Sequence, residues 1–329
     1  MQAAPVSLSF VMAGPSRAAA RLIGALALAL LVAPGTWLRT VPPAERIQRL
    51  AIDPLEPGSA ERWPRGLAIE GLWELAGPDL FFGGYSALVV RPGGRALAFS
   101  DLGETLAFTL PGHGPAAPRL APVRPHPRQA TRRQDIESAT LDPRTGQLWI
   151  GYEQVHAVRR IAPSPPGDGI VLPAAMANWP RNSGAEALVR LADGRFLALA
   201  ERNGRGMLFA GDPVDNARVV QFAVAWPEGH RPVDAAQLPD GRVLVLTRKV
   251  EPAWPPFGTL LLVGEPGEIA PGKTWRPRLF ARLDGPLPRE NYEALAVERT
   301  GDGAVLWLMS DDNFSTFQRT LLARLRWRG

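Results

Sequence analysis

An all-β fold is predicted by three features of the sequence. The apolar stretches are short and strand-like, and no long amphipathic helix is legible. Thirty-three glycines and 34 prolines are scattered along the chain instead of gathered in one segment, as many tight turns require. One strand–turn–strand unit also recurs along the chain. The 46% apolar content is enough for a core, and 21% charged residues argue against a disordered chain.

The recurring unit is seen five times. It reads "GYSALVVRPGGRALAFSDLGETLAF" from Gly84, "DIESATLDPRTGQLWIGYEQVHAVRRI" from Asp135 and "GAEALVRLADGRFLALAERNGRGMLF" from Gly184. It continues as "VDAAQLPDGRVLVLTRKV" from Val233 and "NYEALAVERTGDGAVLWLMSDD" from Asn291. The turns "RPGGR", "DPRTG", "ADGR", "PDGR" and "RTGDG" have the Gly, Pro and Asp content of hairpins. Counted from Ser86, Glu137, Glu186, Asp234 and Glu293, the units step by about 50 residues. A hairpin period of that length predicts a β-propeller more readily than a β-sandwich, with five four-stranded blades and a sixth, degenerate blade left open. "TLAFTL", "ARVVQFAV" and "TLLLVG" would be outer strands. Leu67 to Leu75 would pair with Thr320 to Trp327 and close the ring. The expected organisation is an N-terminal segment over 1–40, a linker over 41–66 and the propeller over 67–329.

The N-terminal segment carries Arg17 and Arg21 ahead of "LIGALALALLV" (Leu22 to Val32). A basic flank before an apolar run too short for a spanning helix predicts a secretory signal, with an uncleaved membrane anchor as the alternative. The start is either Met1 or Met12. The propeller would then be exported to the periplasm, free or tethered to the inner membrane. The formal charge of +5 comes without any basic block, so nucleic acid is not an expected partner. The absence of cysteine excludes disulfides, thiolate catalysis and Cys-based zinc sites.

Each hairpin brings the start of its first strand and the end of its second to one edge. The first place holds Ser86, Glu137, Glu186, Asp234 and Glu293; the second holds Asp101, Glu153, Glu201, Arg248 and Asp311. If each first strand lines the central channel, these residues converge on one mouth. Carboxylates crowded together need a counter-ion, and hard divalent cations, Ca²⁺ above all, suit oxygen ligands. His113, His126, His156 and His230 fall outside these places and read as surface residues. For any single acid, pairing with a nearby arginine is the simpler reading. Recurrence at one register argues for the set.

"FGGYSAL" with "SDLGE", "DIESAT" with "GYEQ", "NSGAEAL" with "ALAE", and "NYEALAV" with "MSDDNF" resemble the phytase-like family of exported bacterial proteins described as having esterase-like activity. The resemblance runs from about Leu72 to Trp327. It implies a propeller that hydrolyses phosphate or other esters, with Ca²⁺ held by Asp101, Glu137, Glu153, Glu186, Glu201, Glu293 and Asp311. "GYSAL" lacks the second glycine of a nucleophile elbow, so Ser86 reads as a mouth-lining hydroxyl.

The expected function is therefore a monomeric, Ca²⁺-dependent hydrolase of a phosphate ester or similar small anion. Glu137, Glu186 and Arg248 are its expected catalytic residues, and Ser86, Asp234 and Arg248 its substrate contacts. With only Lys249 and Lys273 as lysines, counter-charge for a polyphosphate is scarce. A non-catalytic binding propeller and a lactonase- or esterase-type propeller are the alternatives.

Overall fold

Five sheets, antiparallel but for one short pair, surround a common centre in the computed structural model, which describes residues 21, 22, 26, 45–60, 63–124, 134–161, 167–177, 179–180 and 184–329. The chain divides into two units, Met1–Glu45 and Arg46–Gly329. In the first, Arg21, Leu22 and Leu26 are helical and exposed. The rest of the Leu22–Val32 run, with Met1 and Met12, lies outside the described residues. No helix among the described residues is long and apolar enough to cross a membrane.

The second unit is the propeller, and the innermost strand of each blade is the first strand of a repeat. Blade I begins at Tyr85–Arg91, blade II at Ile136–Leu141, blade III at Ala185–Arg190, blade IV at Arg231–Gln237 and blade V at Tyr292–Thr300. Each of these strands packs against the next, and the fifth packs against the first, so the ring closes with five blades. Strand, hairpin, strand then continues outward within each blade. The stretches read as outer strands fall at Glu104–Thr109 in blade I, Val219–Val224 in blade III and Phe257–Gly264 in blade IV.

The inner hairpins owe their tightness to the turn residues seen in the sequence. Asp142 Oδ1 accepts from the Arg144 N–H at 2.9 Å, and Asp193 and Asp240 do the same for Arg195 and Arg242 at 3.0 Å. An Asp that bonds the backbone two residues on mimics a turn and fixes the chain reversal. Gly194 (φ 91°) and Gly241 (φ 94°) follow two of these aspartates in the left-handed region, which glycine adopts without a Cβ penalty.

Blade V is sewn from both ends of the unit. Leu67–Ala76 pairs antiparallel with Thr320–Trp327, as expected from the sequence, and Ala51–Pro54 pairs in turn with Trp73–Ala76. The stretch read as a linker over 41–66 therefore joins the sheet at Ala51, because its backbone completes the outer edge of the closing blade. Blade III also gains a fifth strand: Thr274–Trp275, from an excursion within blade IV, pairs parallel with Ala223–Val224.

Blades stack face to face, so their middle strands are buried on both sides. Phe257–Gly264 is buried at every position, whereas Val219–Val224, the fourth strand of blade III, alternates. Five apolar clusters fill the five seams. Val89, Phe99, Ile136 and Ile150 join blades I and II, for example, and Tyr85, Phe108, Trp307 and Met309 join blades V and I. This radial packing makes the ring rigid and holds one end of all five inner strands at a single opening.

Candidate functional site

Every inner strand carries a β-bulge one or two residues from its start, and the bulges select the residues that face the opening. Pairing slips between Tyr85 and Ala87, Ile136 and Ser138, Ala185 and Ala187, Pro232 and Asp234, and Tyr292 and Ala294. The extra residues are Ser86, Glu137, Glu186, Val233 and Glu293. A bulge leaves one residue unpaired and re-aims its side chain, which is how these positions leave the ladder together.

The bulges correct one sequence-based expectation. Val233, not Asp234, is the counterpart of the three glutamates in blade IV. Because side chains alternate along a strand, a slip of one residue sends Asp234 to the opposite side. Its Oδ1 accepts from the Ala235 N–H at 2.8 Å and its Oδ2 from the Leu295 N–H at 2.7 Å, stitching the inner strands of blades IV and V. Asp234 is buried and does not line the opening, and burial holds its carboxyl well above the ordinary range.

The other predicted residues meet. Ser86, Asp101, Glu137, Glu153, Glu186, Glu201, Arg248, Glu293 and Asp311 line one polar cavity of about 250 Å³. The second places are set by a repeated backbone bond. The Asp101 N–H donates to Gly84 O at 3.0 Å, Glu153 N–H to Asp135 O at 3.0 Å, and Asp311 N–H to Asn291 O at 2.8 Å. Gly84, at φ 65°, also donates its N–H to Asp312 Oδ1 at 2.9 Å. A Cβ there would fall 2.2 Å from the Phe314 ring, so "FGGYSAL" needs its glycine for close approach.

Four further residues belong to the site: Asp135, Asn291 and Asn313, which were not singled out in the sequence, and Arg202, one of the arginines near the acids in sequence. Arg202 and Asn313 line the cavity. Asp135 offers an oxygen within 4.8 Å of oxygens on both Glu137 and Glu153. Asn291 Nδ2 donates to Glu293 Oε1 at 3.0 Å, and Arg248 donates to both Asn291 Oδ1 and Glu293 Oε1. Their signal was position: Asp135 and Asn291 each stand two residues before a bulge glutamate.

Two kinds of acid share the opening. Glu201 is held by Arg202 at 2.9 Å and Arg231 at 3.2 Å, and Glu293 by Arg248. The rest crowd one another. Burial, then the field of Glu186, holds the Glu137 carboxyl well above its usual range; burial, then Glu201 and Glu153, does the same to Glu186. Burial followed by Asp135 pushes Glu153 to about 7, and burial followed by Glu293 pushes Asp311 to about 8. Groups in this state either carry protons at neutral pH or gather around a cation.

The donor set fits a hard divalent cation. Two oxygens that bind one Ca²⁺ at about 2.4 Å are at most about 4.8 Å apart. The Asp135, Glu137 and Glu153 oxygens meet that limit, and no histidine is among the described residues that line the cavity. Ser86 accordingly has no imidazole base among the cavity residues.

Comparison with solved structures finds matches at low identity. Luciferin-regenerating enzyme is 13% identical, with 85% of this chain and 97% of that chain covered at a TM-score of 0.44. The major allergen Mala s 1 of Malassezia sympodialis is also 13% identical, covering 85% and 95% at a TM-score of 0.45. No curated protein matches. The family comparison is more informative, since its match spans all five inner hairpins: over residues 81–314 the chain matches, and belongs to, the phytase-like family described as "esterase-like activity of phytase".

Proposed function

We propose that the protein is an exported, monomeric hydrolase that uses a divalent cation, Ca²⁺ in the first instance, to cleave a small phosphate ester or similar anion at the carboxylate-lined mouth. One observation supports this reading above the others. Carboxylates from four blades share a cavity of about 250 Å³ with only two arginines, Arg202 and Arg248, among its described lining residues, and one oxygen each of Asp135, Glu137 and Glu153 lies within 4.8 Å of the others. Family membership supports the reaction class, hydrolysis, and leaves the ester open.

Asp135, Glu137 and Glu153 would hold the cation, with Asp101, Glu186 and Asp311 facing it across the cavity. When bound, the cation would supply Lewis-acid polarisation of the ester and a lowered pKa for water. Glu186, whose surroundings favour a proton, would accept the proton that the attacking water releases, while Glu137 would serve the reaction by holding the cation. Arg248 is fixed by Asn291 and Glu293 and so faces the cavity with its direction set in advance. Its role would be to orient the anionic group, and Ser86 would add one hydroxyl contact. Asp234, turned away from the cavity, takes no part.

Release of nitrophenol from p-nitrophenyl phosphate, with Ca²⁺ and with chelator, tests the proposal. Turnover should require the cation and vanish in Glu137→Ala and Glu186→Ala while the fold is retained. Cleavage of a nitrophenyl carboxylate ester or a lactone without the phosphate would favour the esterase-type alternative. Cation-dependent stabilisation with no turnover of any ester would instead favour a binding propeller, to which the Arg-held Glu201 and Glu293 already lend support. Absence of both effects would sink the metal readings together.

A further inference from the structure

The inner strands end at a second opening of opposite charge. At their far ends, among the hairpin turns, lies a cavity of about 380 Å³ whose walls include Val90, Leu141, Ala236 and Val297. These apolar side chains are half-buried, each packed against a seam on one side and bordering the cavity on the other. Around them stand Arg144, Arg190 and Arg299, facing a single lining carboxylate, Asp142.

That carboxylate is already committed. Burial would raise its carboxyl, but the Arg144 N–H and the Arg190 guanidinium, 3.3 Å away, outweigh burial and hold it below the ordinary range. The neighbouring turn acids are committed elsewhere as well. Asp193 holds Arg195 at 2.8 Å, Asp240 holds Arg242 at 2.6 Å, and Asp302 holds Arg326 at 3.1 Å. Among the described residues Arg299 makes no ion pair, and Arg144 meets no carboxylate beyond the field of Asp142. The turns thus leave positive charge over an apolar well, although turn aspartates were near enough in sequence to neutralise it.

We propose that this opening binds a small amphipathic organic anion, with an aromatic or aliphatic body in the well and a carboxylate, sulfonate or phosphate on Arg144 and Arg299. The size suits it, since small-ligand pockets begin at about 300 Å³ and combine apolar walls with a few convergent polar groups. Charge-assisted bonds from guanidinium to an oxyanion supply orientation and affinity. The site is separate from the acidic mouth, so it stands whether or not the mouth is catalytic.

Anilinonaphthalene sulfonate, an aromatic body with one sulfonate, is the probe, titrated by fluorescence and calorimetry into the full folded chain. Saturable binding of one molecule per chain is expected, and the neutral anilinonaphthalene should bind more weakly. Arg144→Ala with Arg299→Ala should weaken the sulfonate by at least about tenfold. Both side chains are exposed, so the double variant keeps the fold. Ala236→Phe, which fills the well, should abolish binding; if that variant fails to fold, the arginine variant still decides. Ca²⁺ and chelator should leave the affinity unchanged, because they act at the other end of the ring. Non-saturable binding, or wild-type affinity in the double arginine variant, overturns the proposal.

Discussion

Arg248 of blade IV donates to the Glu293 carboxylate of blade V, so the one blade with no acid at either mouth position supplies charge to hold its neighbour's. The bulge in blade IV presents Val233, and the second place presents Arg248. The guanidinium is further steadied above the Phe257 ring, 5.9 Å from its centroid. Arg248 therefore repels a bound cation and attracts a bound anion. Replacement by Met should move the two affinities in opposite directions. Calorimetry should show Ca²⁺ binding tightened by about tenfold or less, since the site is partly open to solvent. KM for an aryl phosphate should rise by about tenfold or more. Movement of both constants in one direction would mean that Arg248 acts only through the fold.

The crowded acids make stability depend on pH in a definite direction. Glu137, Glu186, Glu153 and Asp311 all have carboxyls raised above their unfolded values, Glu153 to about 7 and Asp311 to about 8. Such groups bind protons more tightly when folded. Their contribution is complete below the unfolded pKa and is lost as pH rises through the folded one. In chelator, Tm by calorimetry should fall from about pH 5 to about pH 8, by on the order of 5 °C. Saturating Ca²⁺ should cancel most of the fall, because it stabilises the ionised form. A chelated protein that becomes more stable over that window would contradict the pKa pattern.

Glu137→Gln separates stability from function. The amide removes one of the crowded charges and keeps the shape, so the chelated protein should gain Tm at pH 8 by about 2–4 °C. The same change removes an oxygen from the Asp135–Glu137–Glu153 group and should abolish both the Ca²⁺-induced rise and ester turnover. Gln at an ordinary surface acid would give neither effect.

Most of the ring was legible in the sequence because the repeat is local. Strand, turn and strand lie within about 25 residues, and Asp-Gly turns announce themselves, so the hairpins and their open ends could be placed in advance. Closure was legible too, since Leu67–Ala76 has strand character and no partner nearby. The extra strands, Ala51–Pro54 and Thr274–Trp275, were not. Four and two residues long, they pair with segments of blades V and III and have no pattern of their own. The register of Asp234 failed for a related reason. Aligned by residue type, an acid matched the glutamates, but the bulge is a backbone property, and only pairing across to Leu246 reveals that the mouth position belongs to Val233. Asp135 and Asn291 escaped notice because they precede the strands, where backbone bonds from Glu153 and Asp311 bring them to the mouth.

Closure of the ring should govern stability more than any outer strand does. Leu72, on the strand contributed from the N-terminal side, is 1% exposed and packs with Leu306, Leu308, Leu321 and Ala323 of the same blade and with the seam to blade IV. Its contacts join residues some 250 positions apart, so they hold the two ends of the propeller together where no covalent link does. Leu72→Ala should cost about 3 kcal/mol, the transfer of the lost side chain plus an unfilled cavity, and lower Tm by about 6–12 °C. Val219→Ala, on the fourth strand of blade III and 36% exposed, should stay within about 0.5 kcal/mol. The mouth offers a second readout of the same event. If Leu72→Ala lets blade V loosen from its neighbours, Asn291, Glu293 and Asp311 shift away from Arg248, and the Ca²⁺-induced rise in Tm should shrink with it. Equal losses in the two variants, or an unchanged Ca²⁺ response in a strongly destabilised Leu72→Ala, would show that the acidic mouth is held by the inner strands alone.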